Sequence, residues 1–261
     1  MEINDYWKEQ SKKFDKAAKY YDKYRPSYPD KLIDDLIEKV HLTKESKILE
    51  IGAGSGKATE LFVNKGLKVT CIEPGKELVI EGKKKFDGKD VEYYNCRFEE
   101  WEEKSGYFDF IMSAQAFHWV PQPIGYKKCS NSLKENKKLA LFWNYYTSNY
   151  GQIDKELNNL IAQFPIMYID SKDSIKEKIN NTVNEIINSR FFREPIVMVY
   201  PWKQEYSAEE YLGFIKTGNG YLSLDNQKRL IIEEKVEEII YRNGGTIVRP
   251  YTCVCYLADK K

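Results

Sequence analysis

Three glycines alternate with small residues directly after a short apolar run. The run is Lys47–Ile51, and Gly52, Gly54 and Gly56 follow it in the pattern G-x-G-x-G. Glycine permits positive φ and lets a ligand approach the backbone closely. The helix start that follows such a turn presents N–H groups without intrahelical partners. A strand, a glycine turn and a helix start in this order are typical of a nucleotide-type binding site.

Two carboxylates flank this glycine turn and narrow its chemistry. Glu50 lies two residues before Gly52, and Glu73 ends the next apolar run, 21 residues after Gly52. A carboxylate at Glu50 would repel a diphosphate but attract an ammonium group, whereas one at Glu73 can accept hydrogen bonds from both hydroxyls of a ribose. Lys57 stands where the dinucleotide fingerprint requires glycine. The pattern therefore predicts a ligand that carries a ribose and a cation rather than a diphosphate.

Alternating strands and helices position these residues through the first half of the chain. Ligands of parallel sheets built with right-handed crossovers bind beyond the carboxyl ends of the strands, where the glycine turn and Glu73 are expected. We predict strands at 47–51, 67–73, 91–94, 108–113 and 138–143, with helices at 57–65, 76–86 and 121–134.

Helices dominate both ends of the chain. We expect the two late strands to complete the same sheet, one of them antiparallel, and the helices between them to stand over its carboxyl edge as a cap. The predicted fold class is α/β: a Rossmann-like, seven-stranded, mostly parallel sheet with helices on both faces, plus a helical cap. The remaining predicted elements are helices at 4–24, 30–40, 152–163, 173–190, 207–217 and 225–242, and strands at 195–206 and 246–257.

Composition excludes several classes of function. The 261 residues carry 41 Lys and Arg against 40 Asp and Glu, without the basic excess of a dedicated nucleic-acid binder, so we expect no nucleic-acid partner. No run approaches the ~20 apolar residues that span a membrane, and the charged N-terminus does not resemble a secretory signal. Five cysteines and two histidines predict neither a disulfide framework nor a metal site. We therefore expect a cytoplasmic protein without a membrane partner; its oligomeric state is not indicated.

The motifs resemble those of class I methyltransferases that use S-adenosylmethionine (SAM). The string ILEIGAGSGKATELF is similar to the first motif of that family, and VTCIEPGKELV is similar to the second. FDFIMSAQAFHWV and KENKKLALFWN resemble a narrower group, the small-molecule methyltransferases related to trans-aconitate methyltransferase. YDKYRPSYP and YTCVCYLADK fit that group as well. The closer match runs from about Lys47 to Asn144.

The resemblance implies a set of cofactor contacts. Glu73 would hold the ribose, Pro74 would lie beside the adenine, and Arg97 and Phe98 would lie at the adenine edge. Many members carry Asp where this chain has Arg97, so Glu99, a backbone carbonyl or stacking by Arg97 would have to replace that acceptor. The full set of predicted cofactor-binding residues is Arg25, Glu50, Gly52, Ala53, Gly54, Gly56, Glu73, Pro74, Arg97, Phe98, Ala114 and Gln115.

Methyl transfer would take place where the fourth strand ends. His118 follows that strand, and its ordinary pKa makes it the best candidate for a general base near neutrality, although the sequence favours a structural role in packing or hydrogen bonding on the turn. Arg25 is expected to pair with the methionyl carboxylate or an acidic substrate, or to be a surface residue in a turn. The predicted substrate-binding residues are Tyr20, His118, Trp119, Asn144 and Tyr145.

Together these features predict a SAM-dependent methyltransferase that acts on a small-molecule acceptor such as a carboxylate or hydroxyl. The alternatives are an NAD-dependent oxidoreductase, which the residue at position 57 disfavours, and a non-catalytic SAM-binding protein. The chain divides into residues 1–40, an N-terminal helical segment that covers the cofactor, residues 41–146, the SAM-binding core, and residues 147–261, the helical cap insertions with the last two strands.

Overall fold

The computed structural model describes residues 22–148, 151–164 and 166–261, and one seven-stranded sheet organises them. Its strands are β1 (Lys47–Ile51), β2 (Lys68–Ile72), β3 (Val91–Tyr94), β4 (Phe108–Ala114), β5 (Leu133–Tyr146), β6 (Ile196–Ser207) and β7 (Thr246–Asp259). They lie in the order β3-β2-β1-β4-β5-β7-β6. The chain thus builds outward from β1 to β3, then returns to the other side of β1 for β4 and β5.

Strand direction follows the predicted pattern. The pairs β1–β2, β2–β3, β1–β4 and β4–β5 are parallel. The amide of Thr147 donates to the carbonyl of Pro250 (3.2 Å), and that of Lys260 donates to the carbonyl of Lys137 (3.0 Å). Residue numbers rise along β5 where they fall along β7, so the two strands are antiparallel. This confirms the mostly parallel sheet completed by two late strands.

The carboxyl ends of β1 and β4 lie side by side because the strand order reverses there. Register pairs Glu50 of β1 with Cys71 of β2 on one side and with Met112 of β4 on the other. In open α/β sheets this switch point is where ligands bind. Both β1 and β4 are buried along almost their whole length, as expected for central strands covered by helices on both faces.

The helices alternate with the parallel strands, as predicted. The helix after the glycine turn ends at Val63 instead of Lys65, because Gly66 adopts φ 78° and the amide of Leu67 bonds back to the carbonyl of Phe62. The helices are α1 (Asp30–Val40), α2 (Lys57–Val63), α3 (Lys76–Lys85), α4 (Ile124–Ser132), α5 (Gln152–Gln163), α6 (Lys172–Asn188), α7 (Ala208–Lys216), α8 (Asn219–Leu222) and α9 (Asn226–Arg242), with a 3-10 turn at Phe117–Trp119.

The chain forms two compact units, and each contains residues from more than one of the three segments predicted from the sequence. We name the first the core unit; it comprises Ser27–Asn144, Lys172–Tyr200 and Cys253–Lys261. We name the second the insertion unit; its described residues are 22–26, 145–148, 151–164, 166–171 and Pro201–Thr252. Helices α1 and α6 therefore belong to the core unit. The predicted helix at 4–24 falls almost entirely outside the described residues.

Each unit has its own apolar interior. In the core unit α1 buries Leu32, Ile33 and Leu36, and the Tyr28 ring packs edge-on against Phe142 at 5.0 Å. The insertion unit is built largely from rings and branched aliphatic side chains of α5, α7, α9 and the adjoining parts of β6 and β7. Among the described residues, no helix combines the length and apolarity needed to cross a membrane.

Candidate active site

The glycine turn contacts the segment that follows β4. Gly52, Gly54 and Gly56 have φ of 70°, 59° and 86°, a conformation that residues with a side chain adopt at a cost. A Cβ on Gly52 would lie 2.4 Å from the Cβ of Ala116. Glycine is therefore required twice at this position, by backbone conformation and by the close approach of a second loop. The two loops lie together at the switch point of the sheet.

Glu73 fastens the glycine turn to the end of β2. Its Oε2 accepts from the amide of Gly54 (2.9 Å), and its Oε1 accepts from the amide of Gly75 (2.8 Å). Each carboxylate oxygen has two lone pairs and can accept more than one hydrogen bond. The carboxylate that the sequence assigns to a ribose is thus within hydrogen-bond reach of the turn that must surround the ligand.

Glu50 is buried beneath the turn, with 1% of its surface exposed. The hydroxyl of Thr59, on α2, donates to Glu50 Oε2 and lies 3.2 Å from the Cys71 sulfur. Burial raises the pKa of Glu50 to about 8 because a carboxylate is poorly solvated there, although the Thr59 hydrogen bond acts in the opposite direction. A cation that reached this carboxyl group would favour its ionised form. Sequence reasoning missed Thr59, whose only signal is its place on the first turn of α2.

The predicted adenine side is formed by the ends of β2 and β3. Asn95 donates to the carbonyls of Glu73 and Pro74, both at 3.0 Å, and so links the two strand ends. Arg97 forms a partly buried ion pair with Glu99 (3.4 Å). The Phe98 ring is 3% exposed and stacks on a neighbouring tryptophan, which gives the ring a packing role. The adenine contacts of Pro74, Arg97 and Phe98 stay predictions.

The end of β4 is held in an unusual backbone conformation. Gln115 has φ 60°, and its amide donates to the carbonyl of Phe142 (2.9 Å). Its side chain donates to the carbonyl of Asn144 (3.2 Å), and the Asn144 amide nitrogen donates to the carbonyl of Ser27 (2.9 Å). Asn144 therefore ties the ends of β4 and β5 to the segment before α1. A non-glycine residue at positive φ is uncommon and marks strain that is often found at functional sites.

His118 lies beside two tryptophans. Trp143 Nε1 donates to His118 Nδ1 (3.3 Å), and the ring centroids of His118 and Trp119 are 4.8 Å apart. The residue is exposed to solvent at its surface, and desolvation by the atoms packed around it lowers its pKa to about 4. A neutral imidazole that accepts at Nδ1 carries its proton on Nε2. This arrangement favours a hydrogen-bonding role over the alternative role of a base.

Arg25 belongs to the insertion unit and is not a loose surface residue. Its guanidinium donates to the Tyr146 hydroxyl (3.1 Å) and to the carbonyl of Thr217 (2.9 Å), and it lies 5.7 Å from the centre of the Phe214 ring. Tyr145, also in this unit, is buried. Tyr20 lies outside the described residues. The ligand contacts proposed for these residues stay predictions.

The described residues contain no group of three or more His, Cys, Asp or Glu side chains that could hold a metal ion. The residues of the core unit do fit a ribose-bearing cation. Gly52 provides a surface that a Cβ would fill, Glu73 provides carboxylate oxygens, and Glu50 provides a buried acidic group. Ala116, which sequence reasoning did not select, completes the turn by packing on Gly52.

Several known proteins resemble this chain in sequence or in fold. The family described as methyltransferase domain matches residues 48–136. A protein of Dictyostelium discoideum described as a methyltransferase is 30% identical over 223 residues, which cover 79% of this chain and 80% of that protein. An uncharacterized methyltransferase of Schizosaccharomyces pombe is 30% identical over 136 residues, 52% of this chain and about half, 53%, of that protein.

A type II methyltransferase from Anaeromyxobacter dehalogenans has a similar structure, with a TM-score of 0.64 over 90% of this chain and 97% of that one. At 15% identity this likeness shows the fold alone. The narrower resemblance to trans-aconitate methyltransferase stays a prediction. The Dictyostelium relative is aligned over most of both chains, and this chain belongs to the class I SAM-dependent methyltransferases.

Proposed function

We propose that this enzyme transfers the methyl group of SAM to a small-molecule acceptor at the carboxyl edge of β1 and β4. The observation that carries the proposal is the glycine turn, which is bonded to Glu73 through Gly54 and closed by Ala116. When bound, SAM supplies a methyl group on a sulfonium, which in-line attack by an aligned nucleophile displaces. The chain's part is to align the acceptor and exclude water.

The cofactor contacts follow from the same residues. Glu73 accepts from the ribose hydroxyls, and Glu50 provides the negative charge for the methionyl ammonium. Gly52, Ala53 and Gly54 allow the ligand to lie against the backbone. The carboxyl edge at Ala114 and Gln115 forms the opposite wall. Support comes from the hydrogen bonds that already join Glu73 to the turn and from the contact between Gly52 and Ala116.

The acceptor is one that needs no deprotonation by His118. Trp143 donates a hydrogen bond to His118 Nδ1, so the proton of the neutral imidazole is on Nε2. Nε2–H can therefore donate a hydrogen bond but cannot accept a proton. Such a donor would orient an acceptor oxygen. A carboxylate already has a lone pair for methyl transfer, whereas a hydroxyl needs a base. The geometry therefore supports a carboxylate acceptor over an alcohol.

Calorimetric titration with SAM tests this function. We expect the wild-type enzyme to bind SAM, and Glu73→Gln to weaken binding at least tenfold because an amide cannot accept both ribose hydroxyls as well. Glu102→Gln, which changes an exposed carboxylate of the same unit, is the control and should bind as wild type.

Separate titration with NADH addresses the oxidoreductase alternative. Binding of NADH without SAM would exclude the methyltransferase function. Formation of S-adenosylhomocysteine in the presence of mixed small acids distinguishes an enzyme from a non-catalytic SAM-binding protein. Binding of SAM without turnover on any acid, phenol or amine would favour the non-catalytic alternative.

A further inference from the structure

Thr59 lies between two buried polar groups of neighbouring strands. Its side chain, on the first turn of α2, is 0% exposed, and its hydroxyl donates to Glu50 Oε2 on β1. The same hydroxyl oxygen lies 3.2 Å from the sulfur of Cys71 on β2, which is also fully buried. Register places Glu50 directly beside Cys71 in the sheet. The three side chains therefore form one hydrogen-bonded chain inside the core unit.

The single hydrogen of the Thr59 hydroxyl fixes the direction of this chain when Glu50 is ionised. A carboxylate only accepts, so Thr59 donates to Glu50 and itself accepts from the Cys71 thiol. Burial raises the pKa of that thiol well above its ordinary value, so Cys71 keeps the hydrogen that this bond needs. Hydrogen bonds to a charged group are roughly twice as strong as those between neutral groups. The chain therefore stabilises the ionised form of Glu50 more than the neutral form.

The charged and titratable groups around Glu50 leave this part to Thr59. Burial is the main reason that the pKa of Glu50 is raised, and the charge of Glu73 raises it further, whereas Lys85 on α3 acts in the opposite direction. Burial also raises the pKa of Tyr93 on β3, so this ring stays neutral and adds no charge. The hydroxyl and the backbone amide of Thr59 are the largest influences that favour the ionised carboxylate.

We propose that Thr59 is a positioning residue for SAM: its hydroxyl holds the Glu50 carboxyl group and stabilises the ionised form that receives the methionyl ammonium. The inference rests on the proposed function for the identity of that cation. The hydrogen-bonded chain itself rests only on the core unit. Because Thr59 acts through Glu50, its loss should weaken SAM binding where Glu50 has to give up a proton and should matter little where Glu50 is already ionised.

Titration of the Glu50 carboxyl group in the free full-length enzyme is the first test. The carboxyl carbon resonances of carbon-13-labelled glutamate report ionisation, and Glu50→Gln assigns the signal. Thr59→Val keeps the shape of the side chain but removes the hydroxyl. It should raise the pKa of Glu50 above the wild-type value of about 8 by roughly one pH unit, since a hydrogen bond to a charged group is lost. Thr59→Ser keeps the hydroxyl and should titrate as wild type.

Calorimetric titration with SAM at two pH values is the second test. At about pH 7, Thr59→Val should bind SAM roughly tenfold more weakly than wild type, because more free energy is needed to ionise Glu50. At about pH 9.5 the two affinities should converge, because Glu50 is then ionised in both proteins. The amino group of SAM titrates alike with either protein, so the ratio of the two affinities reports Glu50 alone.

Thr70→Val provides the matched control. Thr70 precedes Cys71 on β2, and neighbouring strand residues point to opposite faces of the sheet, so this change removes a threonine hydroxyl away from Glu50. It should leave both the Glu50 titration and SAM binding as in wild type. In a Glu50→Gln background, Thr59→Val should cause no further loss of SAM affinity, because the group on which it acts is gone.

Three results would each overturn the proposal: an unchanged Glu50 titration in Thr59→Val, an equal loss of SAM affinity at both pH values, or a loss in Thr59→Ser as large as in Thr59→Val. If Thr59→Val does not fold, Thr59→Ala removes the same hydroxyl and is held to the same outcomes. Failure of SAM to bind the wild-type enzyme would instead count against the proposed function. The carboxyl titration would then still decide whether Thr59 stabilises the ionised form of Glu50.

Discussion

Single residues show how strongly the fold changes the chemistry of a side chain. Glu50 was expected as a charged partner of an ammonium, yet burial raises its pKa to about 8, so it is mostly protonated at neutral pH before a cation arrives. His118 was expected to have the ordinary histidine pKa, yet desolvation lowers it to about 4. Both shifts arise mainly from desolvation in the folded chain, which the residue type does not reveal.

The pKa of Glu50 predicts how stability changes with pH. A group whose pKa is near 4.5 when unfolded and about 8 when folded binds more protons in the folded state between these values, so the free energy of unfolding falls as pH rises through this window. Glu50→Gln should remove this fall and stabilise the protein at pH 8 by an amount on the order of 4 kcal/mol, since each pKa unit is worth about 1.4 kcal/mol.

Urea unfolding of wild type and Glu50→Gln at about pH 5 and pH 8 measures the difference. The same variant should bind SAM at least tenfold more weakly, because the negative charge is lost. Wild-type SAM affinity should rise with pH up to about 8, as binding releases the proton of Glu50. Equal pH dependence of stability in the two proteins would contradict the buried, protonated state.

His118 is predicted to stay neutral across the physiological range. Its ring resonances in a nitrogen-edited NMR titration should show no protonation above about pH 5, with the proton on Nε2. Trp143→Phe removes the donor that stabilises the neutral ring, so the pKa of His118 should rise slightly but stay below its ordinary value because the desolvation remains. Since the chain has two histidines, His41→Gln assigns the signals. A wild-type pKa between 6 and 7 would restore the assignment of His118 as a base.

At the scale of elements, the site depends on how closely two loops approach. The turn after β1 and the segment after β4 come from different β–α units, and they meet where Gly52 lies against Ala116. The pairing of β1 with β4 brings them together. Helix α2 then carries Thr59 under the turn, and β2 carries Glu73 to its side.

Gly52→Ala should therefore do more damage than its backbone strain alone. The new Cβ would lie 2.4 Å from that of Ala116, and φ is 70°. We expect a loss of about 2–3 kcal/mol in unfolding free energy from overpacking and strain, and a SAM affinity more than tenfold weaker. Gly88→Ala has the same strain, with φ 71°, but its Cβ would meet nothing within 4 Å.

This control should cost about 1–2 kcal/mol and leave SAM binding intact. Denaturant unfolding and calorimetry on the two variants separate the effects. If both variants lost SAM binding to the same degree, the contact between the two loops would not be what shapes the site.

At the scale of the whole molecule, charge is balanced and the chain is divided into two compact units. Strands β5, β6 and β7 each contribute residues to both units. The core unit carries the cofactor motifs. The insertion unit has its own aromatic interior and its own buried charges.

The charge balance predicts weak binding of nucleic acid. With a net charge of +1, the chain lacks the excess of cations that drives counterion release from phosphates. A labelled single-stranded RNA should show a Kd weaker than about 10⁻⁴ M at physiological salt in an anisotropy titration. Micromolar affinity with a steep salt dependence would contradict this and direct the search for acceptors to RNA.

The sequence by itself determined the order of strands and helices and the identity of the cofactor turn. Gly52, Gly54 and Gly56 all have positive φ, and Glu73 is bonded to that turn, because local conformation and short spacing encode these features. The least accurate bounds are those of β5, which begins at Leu133 rather than 138. Leu133 and Lys138 pair with Phe108 and Phe110 of β4 across a shift in register, and Lys137 accepts from Lys260, so tertiary contacts place this polar stretch in the sheet.

Only the tertiary structure decided which distant residues meet. No local pattern signals that Thr59 donates to Glu50 or that Trp143 donates to Nδ1 of His118. Nor does one signal that Ala116 packs against Gly52. Nor does any pattern pair Arg249 with Asp154, 95 residues away. These contacts depend on strand order and helix packing, and burial then sets the protonation states on which the chemistry rests.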